Sequence, residues 1–399
     1  MDTIDRLALA AQGPFFEQDG SEQAAVNTAC AGRRPTPGET AGVEFRGHAI
    51  PVYQAATPGG KRFPLLKAML TTACERSCRY CAFRAGRDMR RVTLKPEEMA
   101  QVFFDAQRAG IVSGLFLSTG IFAGGPNTQN KLLDCAEILR RKLSFRGYLH
   151  LKLMPGVERD QVQRAMELAD RVSVNLEAPN PKRLEHLAPE KDFTRELLAP
   201  LRWAEQIRQE RSPEHAFKGT WASTTTQFVV GAAGESDLEL LSTVERLFRG
   251  MKLRRTYFEA FSPVEDTPLE NHPAESVTRQ QRLYEASYLL RDYGFDLEEL
   301  PFDAQGKLPL ERDPKRCYAD EVLRQAPVDL NRAEPGQLLR VPGIGPKGCE
   351  RIVRARRERR LVDLSQLRGM GILAERAAPY ILLDGRLPAQ QLPLFAVDP

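Results

Sequence analysis

The sequence predicts a mixed α/β fold: six β–α units that form a partial barrel, followed by a small all-α unit. Between residues 65 and 293, short apolar runs alternate with longer amphipathic stretches, a pattern typical of repeated β–α units. From residue 328 that pattern is absent, and short helical segments flank two glycine-containing turns. The chain is therefore expected to place its chemistry on the barrel and a separate binding task on the helical unit.

Each predicted β–α unit has one strand and one helix. The predicted strands are Leu65–Thr71, Gly114–Ser118, Tyr148–Leu153, Val172–Leu176, Gln227–Val230 and Thr256–Phe261. The predicted helices are Lys95–Ala109, Lys131–Leu143, Asp160–Ala169, Glu196–Gln209, Asp237–Phe248 and Thr278–Tyr293. Because catalytic groups of such barrels lie at the C-terminal ends of the strands, the loops that follow these strands are the candidate site.

Composition predicts a globular protein of a reducing compartment. The chain has 399 residues, of which 42% are hydrophobic and 28% charged, with a net charge of +4. No apolar run approaches the ~20 residues of a membrane span, and the first residues lack the pattern of a signal peptide. We therefore expect a cytoplasmic protein without membrane contact. Residues 1–60 show no sustained period and predict an irregular lead-in, in which Cys30 is an isolated thiol.

Three cysteines follow the first predicted strand in a C-x3-C-x2-C pattern. Cys74, Cys78 and Cys81 fall within eight residues, and no fourth cysteine lies nearby. Three thiolates in one loop can hold three irons of a 4Fe-4S cluster and leave the fourth iron open for another ligand. Structural zinc is the competing interpretation, but it needs four closed ligands, and neither His48 nor His150 has a suitable spacing. A disulfide framework is disfavoured because seven cysteines are an odd number.

This pattern, with Tyr80 before the last cysteine, resembles the signature of the radical S-adenosylmethionine (SAM) family. The resemblance implies a partial (β/α)6 TIM-type barrel, a 4Fe-4S cluster on the three cysteines, and SAM chelated to the open iron. In that family an electron supplied by an external donor cleaves SAM to a 5′-deoxyadenosyl radical. The expected chemistry is then abstraction of a hydrogen atom from a bound substrate.

The resemblance also implies residues that surround SAM, all of them after predicted strands. They are Tyr80, Ser118, Thr119, Gly120, Asn175, Glu177, Gly231, Gly234 and Glu235, with the backbone of Phe261–Val264 passing the adenine edge. The family's acidic residue after the second strand is missing, since Ser-Thr-Gly replaces Gly-Gly-Glu. A glycine after a strand alternatively marks only a tight turn. Cys317 is a candidate hydrogen-atom donor, with a structural thiol as the alternative, and Cys135 is expected in the core.

The segment around Val341 to Gly348 predicts a phosphate-binding turn. Gly343 and Gly345 allow a tight turn at a helix start, where backbone N–H groups point outward and form an anion site. The sequence resembles the helix-hairpin-helix motif, in which Gly343, Ile344, Gly345 and Lys347 contact DNA phosphates. A weaker copy follows at Gly369 and Gly371. Residues 328–384 carry 11 basic and 7 acidic side chains, a difference of +4 that equals the charge of the whole chain. A solvated basic helix end is the alternative.

Residues 391–395 form a short peptide that resembles a partner-binding motif. Gln391–Phe395 resembles the linear motif by which bacterial DNA-repair and replication proteins dock on the sliding clamp. Five residues are a weak signal, and a tail that folds its Leu and Phe onto the domain is the equal alternative.

Over residues 60–399 the architecture resembles the DNA modification and repair radical SAM proteins, a family associated with a uracil-DNA-glycosylase-like partner. The resemblance implies a radical SAM enzyme that acts on DNA through a tandem helix-hairpin-helix domain. The expected divisions are a lead-in (1–60), a barrel (61–320), the hairpin domain (328–384) and a tail (385–399). Two alternatives remain open: a radical SAM enzyme that modifies transfer RNA, and a non-catalytic iron–sulfur scaffold that binds DNA.

Overall fold

The structure, a computed structural model, describes residues 2–11, 41–56 and 61–388. The chain divides into two compact units. The first unit comprises Met1–Glu235 and Arg246–Gln280, and the second comprises Ser236–Glu245 and Gln281–Pro399. Within the described ranges, no helix has both the length and the apolar character needed to cross a membrane.

The first unit is built on one eight-stranded sheet. Its strands are β1 (Ala41–Phe45), β2 (His48–Ala56), β3 (Arg62–Met69), β4 (Gly114–Ser118), β5 (Tyr148–Lys152), β6 (Arg171–Ser173), β7 (Ser223–Val230) and β8 (Arg255–Ala260). They lie in sequence order, with β1 to β3 antiparallel and β3 to β8 parallel. Among the described strands β8 pairs only with β7, so the parallel strands form a partial barrel.

Helical segments separate consecutive parallel strands along the chain. Those up to residue 292 are α1 (Thr3–Ala11), α2 (Pro96–Arg108), α3 (Gly125–Glu137), α4 (Arg159–Leu168), α5 (Pro181–Leu187), α6 (Ala199–Glu210), α7 (Asp237–Met251) and α8 (Val277–Asp292). π-helical segments extend α3 through Ile138–Lys142 and precede α6 at Phe193–Leu198. Register places apolar residues beside each other on adjacent strands, as in Leu66–Leu115 and Phe228–Phe258, and these side chains are buried. The predicted α/β class with a parallel sheet is confirmed.

The expectation of an irregular lead-in is wrong for two segments that the structure describes. Residues 3–11 form α1, which buries Leu7 and Ala11 completely. β1 and β2 form a hairpin through a two-residue turn, with Arg46 at φ +50° and Gly47 at φ +82°. Two positive φ values are what a turn between twisted strands requires. Scattered glycines and prolines in the surrounding sequence obscured this short hairpin.

The second unit has its own apolar core. Its further elements are α9 (Pro314–Tyr318), β9 (Val328–Asp329), α10 (Pro335–Arg340), α11 (Pro346–Glu358), α12 (Leu364–Gly369), α13 (Ala374–Ala377) and β10 (Ile381–Leu382). Leu338, Ile352, Leu367 and Ile381 are each fully buried in this core. The unit begins before the predicted boundary at residue 328, because the segment from 293 to 327 packs on these helices. One such contact joins Arg340 to Glu299 at 2.5 Å.

Candidate functional site

The cysteine loop directly follows β3, at the C-terminal end of a parallel strand. Backbone bonds fix it on both sides: Glu75 N donates to Ile121 O at 2.8 Å, and Arg79 N donates to Leu187 O at 2.8 Å. The loop is therefore held between the segment after β4 and the end of α5, and its thiols have a defined direction.

Side chains of the loop add polar anchors. The Arg76 guanidinium donates to the Glu190 carbonyl at 2.7 Å and pairs with Glu196 at 2.8 Å. Ser77 donates from its amide and its hydroxyl to the Glu190 carboxylate. These two bonds hold the pKa of Glu190 below its usual value. The loop is thus fastened to the segment between α5 and α6 without using a thiol.

Gly120 explains how the loop can lie so close to β4. A Cβ on Gly120 would lie 2.1 Å from the Ala73 carbonyl oxygen and 2.8 Å from its carbon. The Gly120 amide donates to Thr71 O at 2.7 Å, so strand end and loop are in direct backbone contact. Only glycine fits here, which assigns Gly120 a packing role beside the first cysteine.

All three cysteines line one cavity of about 370 Å³ in the first unit. It lies at the C-terminal ends of the parallel strands, where the barrel fold places its chemistry. Its polar and charged lining residues are Cys74, Arg76, Cys78, Tyr80, Cys81, Ser118, Thr119, Lys152, Asn175, Glu177, Lys191, Gln227, Glu259 and Ser262. Apolar side chains, among them Met69, Phe83, Met154 and Phe261, form the rest of the wall.

The cysteine arrangement fits a cluster better than a single ion. Among the described residues, the only group of three or more candidate ligands within 4.8 Å of one another is Asp2, Asp5 and His48. At least one pair of the three cysteine sulfurs therefore lies more than 4.8 Å apart. In a 4Fe-4S cluster each thiolate binds a different iron, which needs this wider separation.

Burial makes the free thiols of the loop poor acids. It raises the pKa of Cys78 and raises the pKa of Cys81 to about 12, with neighbouring cysteines adding to the effect. Thiolates at these positions need compensating positive charge, and iron supplies it when bound. The donor set thus fits a metal cluster held by Cys74, Cys78 and Cys81.

A buried ion pair lies beside Tyr80, the loop's aromatic residue. Lys191 Nζ lies 3.1 Å from Glu177 Oε1, and the side chains are 8% and 6% exposed. Burial alone would raise the pKa of Glu177, but the ammonium groups of Lys191 and Lys152 outweigh it and hold that pKa below its usual value. Tyr80 contacts the same carboxylate, and burial together with Glu177 raises the pKa of its phenol. Glu177 is thus an anion with fixed partners.

The other polar residue after β6 belongs to a chain of side chains. The Asn175 amide donates to Gln227 Oε1 at 3.4 Å, and Gln227 in turn donates to the Glu259 carboxylate. All three line the cavity, and they lie on or just after the neighbouring strands β6, β7 and β8. The prediction placed Asn175 and Glu177 near SAM, and the structure brings both to the wall that also carries the cysteines.

The glycine turn after β7 is arranged differently. Gly231 has φ +97° and Gly234 has φ +67°, so both need glycine. The Glu235 carboxylate accepts from the amides of Gly231 at 2.6 Å and Ala233 at 3.2 Å, and it lies 3.4 Å from Arg279. Glu235 is fully buried. Its contacts hold the turn together, and none of the three predicted residues is among those that line the cavity.

Sequence reasoning missed the basic residues and one acid of the cavity. Lys152 is the last residue of β5, Lys191 lies between α5 and α6, and Glu259 is on β8. For Lys152 and Glu259 the position at a strand end was a usable signal. Lys191 carries no such signal, because only the fold brings its loop to the cysteines.

The turn between α10 and α11, which we call the first hairpin turn, lies in the second unit. Gly343 has φ +88°, and a Cβ there would lie 2.5 Å from the Leu373 carbonyl oxygen and 3.2 Å from Arg376 Cβ. Gly345 is the N-cap of α11, so no side chain caps this helix. Ile344 is buried, and its carbonyl accepts from Lys315 at 2.7 Å. The first amides of α11 are thus presented beside a fixed turn.

Charges near this turn are exposed. Lys347 and Arg376 are exposed, and neither makes an ion pair with the residues that the structure describes. Some other basic residues of the unit are paired or bonded internally, such as Arg360 with Asp384 at 2.7 Å and Arg356 with the Ala333 carbonyl at 2.6 Å. Arg354 and Arg357 of α11 are also exposed, so exposed positive charge lies both beside Gly343 and along that helix.

The second glycine turn has less structure around it. Gly369 ends α12, and Gly371 has φ +69° with Arg351 beside it. The following helix, α13, has four residues. The first hairpin turn is followed by the 13 residues of α11, so the second turn differs in the length of the helix that follows it.

Four remaining predictions concern three single cysteines and the terminal peptide. Cys135 is fully buried in α3. Cys317 lies in α9 of the second unit, and burial raises the pKa of its thiol. The cavity's lining residues all come from the first unit. Cys30 and the peptide Gln391–Phe395 lie outside the described residues.

Comparison with known proteins agrees with the cysteine cavity. Residues 69–247 match the model of the radical SAM superfamily. The chain contains a radical SAM domain. Its cofactors are therefore a 4Fe-4S cluster and SAM, and when bound they supply the one-electron cleavage that yields a carbon radical. No curated protein sequence matches the chain.

Three solved structures illustrate the similarity of fold. They are the FeFe-hydrogenase maturase HydG from Carboxydothermus hydrogenoformans (16% identity, 57% of this chain, 51% of that chain, TM-score 0.44), methylornithine synthase PylB (16%, 57%, 61%, 0.45) and the radical SAM methyltransferase TsrM from Kitasatospora setae (15%, 52%, 39%, 0.39). TsrM was solved with cobalamin and a 4Fe-4S cluster bound. This chain spans less than two thirds of the length of each of the three.

Proposed function

We propose that this chain is a radical SAM enzyme that acts on DNA, in repair or modification, and holds the phosphate backbone with its helix-hairpin-helix unit. The first hairpin turn is the observation that carries the proposal. A glycine turn packed against backbone precedes a helix of 13 residues that has no side-chain cap. Lys347 and Arg376 are exposed beside it, and neither forms an ion pair with the residues that the structure describes. Uncapped amides and a positive helix end attract phosphate.

Phosphate contacts explain why such a unit would accompany a radical-generating cavity. They position a protein on a nucleic acid without reading the sequence of bases. The cavity would then act on a base or sugar of the strand that the hairpin holds. Gly369 and Gly371 form the secondary contact in this proposal, because their turn is followed by a helix of only four residues.

Binding of labelled duplex DNA to the full chain, followed by fluorescence anisotropy at several salt concentrations, tests this function. We expect affinity to fall steeply with salt, because phosphate contacts release counterions. Gly343→Val should weaken binding about equally for DNA duplexes of unrelated sequence. The added side chain would collide with the Leu373 carbonyl oxygen and distort the first hairpin turn. Gly336→Ala is the matched control, because its Cβ would make only ordinary contacts.

Binding that is insensitive both to salt and to Gly343→Val would contradict the proposal. Tighter binding to RNA of the same sequence would point to a transfer-RNA substrate. DNA binding without formation of 5′-deoxyadenosine by the reduced, SAM-supplied protein would point to a non-catalytic scaffold.

The partner proteins belong to the same proposal. We include a uracil-DNA-glycosylase-like protein, and a sliding clamp that would bind Gln391–Phe395 through an apolar pocket for Leu394 and Phe395. A chain truncated after Leu387 should lose co-purification with the clamp while keeping SAM cleavage and binding to naked DNA. Retained clamp binding would remove this part of the proposal.

A further inference from the structure

Lys191 and Glu177 form an enclosed ion pair on the wall that carries the cysteines. The two charged groups are 3.1 Å apart, and their side chains are 8% and 6% exposed. Both residues line the cavity together with Cys78 and Cys81. The pair is therefore removed from water and close to the atoms that hold the cluster.

The fold does not gain stability from this arrangement in an obvious way. Removing two charges from water carries a large desolvation cost, so buried pairs are often no better than apolar residues. Glu177 also has φ +65°, a left-handed conformation that is strained for a non-glycine residue. Its backbone is held there by Glu177 N to Gln227 O at 3.0 Å and Val229 N to Glu177 O at 2.8 Å. Strain imposed by surrounding structure points to a role in the site's chemistry.

The ammonium of Lys191 shares an enclosed space with the cysteines and with Glu177. Its Nζ lies 3.1 Å from the Glu177 carboxylate, and both residues line the cavity that Cys78 and Cys81 also line. A fixed cation and two sulfur ligands are thus enclosed together, where charges interact more strongly than in water.

We propose that Lys191 is a positioning residue that raises the reduction potential of the cluster on Cys74, Cys78 and Cys81, and that Glu177 limits this effect. Reduction adds one electron from the external donor to the cluster and changes no bond and no proton. The added negative charge is stabilised by a nearby cation and destabilised by a nearby anion, and charge is one of the factors that set such potentials. The ion pair would adjust how readily the cluster accepts the electron that SAM cleavage consumes.

Opposite charges predict opposite shifts, which gives a test that does not depend on activity. The full chain is reconstituted anaerobically with iron and sulfide, and the reduced cluster is followed by electron paramagnetic resonance during a potentiometric titration. SAM and nucleic acid are omitted. Lys191→Met should lower the ratio of reduced to oxidised cluster at a fixed potential about tenfold, a shift of about 59 mV for one electron.

Glu177→Gln should shift the midpoint potential upward, and the double variant should lie close to the parent. Lys191→Arg keeps the charge and should change the potential little. Lys182→Met is the control, because this lysine is exposed on α5. Iron content is measured for every variant, so that a lost cluster is not read as a shifted one.

The sign of the shifts decides the proposal. A purely structural role would shift both single variants in one direction or reduce their iron content without changing the potential, and either result overturns it. If Lys191→Met assembles no cluster, Glu177→Gln carries the test: a higher potential supports the proposal and an unchanged one overturns it. A parent that binds no iron would instead refute the cluster assignment on which this inference depends.

Discussion

The cysteine loop and the first hairpin turn use glycine in the same way but arrange charge in opposite ways. In each, a Cβ on the glycine would collide with a backbone carbonyl: Gly120 with Ala73 at 2.1 Å, and Gly343 with Leu373 at 2.5 Å. Both segments therefore lie in close backbone contact with a neighbouring segment. A rigid backbone is the common requirement for presenting ligands in the one case and amides in the other.

Their charges differ in exposure and pairing. The cavity encloses its charges, and the Lys191–Glu177 pair is nearly buried. At the hairpin, Lys347 and Arg376 are exposed, without ion pairs among the residues described. Salt screens buried pairs little, whereas it largely screens interactions between exposed charges that are more than about 10 Å apart at 0.1 M ionic strength. Cluster chemistry should therefore tolerate salt, and nucleic-acid binding should not.

The largest expected effect is loss of the cluster from the cavity, with the first hairpin turn left intact. Cys78→Ala should abolish the stable 4Fe-4S cluster and the formation of 5′-deoxyadenosine, because one iron loses its thiolate. DNA binding should be retained. Iron and sulfide analysis with a SAM-cleavage assay measures this, and Cys317→Ala is the control thiol. A Cys78 variant that cleaves SAM at the parent rate would contradict the cluster assignment.

The next effect tests whether backbone contact positions the cysteines. Gly120→Ala should destabilise the first unit by about 1–3 kcal/mol and reduce cluster content, because even one methyl group displaces the Ala73 carbonyl. Gly250→Ala is the matched control: a Cβ there meets nothing within 4 Å. In α7 that change should be neutral or stabilising by up to about 1 kcal/mol. Equal cluster content in both variants would argue against a positioning role for Gly120.

The accuracy of sequence reasoning also differs between the regions. Periodicity located β4 within its observed bounds and α2 within one residue at each end, because both are long enough for their burial patterns to show. The cysteine cavity followed from spacing, since three ligands lie in one loop. Lys191 could not be predicted, because its role depends on contacts between segments far apart in the chain. Glu235 shows a different limit of sequence reasoning. The sequence located its glycine turn, but it did not show that the carboxylate accepts a hydrogen bond from that turn and does not line the cavity.

A smaller effect should be confined to the hairpin. Replacing both Lys347 and Arg376 with alanine should lower DNA affinity less than Gly343→Val does, because the amides of α11 remain in place. Each lost phosphate contact reduces the slope of log affinity against log salt by about 1, so the slope should fall by about 2. Arg360→Ala is the control, since Asp384 already pairs with it at 2.7 Å. An unchanged slope in the double variant would mean that neither side chain contacts phosphate.

The smallest expected effect concerns Lys315, which lies under the first hairpin turn. Its Nζ donates to the Ile344 carbonyl at 2.7 Å and lies 4.5 Å from the centre of the Tyr293 ring. Burial lowers the pKa of Lys315 to about 7, with Arg340 adding to the effect and Asp313 opposing it. In the unfolded chain the pKa returns to about 10.4.

The sign of the resulting pH dependence follows from proton binding. Between about pH 7 and pH 10 the unfolded chain binds more protons at Lys315 than the folded chain, so stability rises with pH over this range. Lys315→Met removes that contribution along with the bond to Ile344. The melting temperature of the variant minus that of the parent should therefore decrease by a few degrees from pH 7 to pH 9.5. Lys142→Met, at an exposed site, should give a constant difference. A constant difference for Lys315→Met as well would show that the buried amine is not discharged in the folded protein.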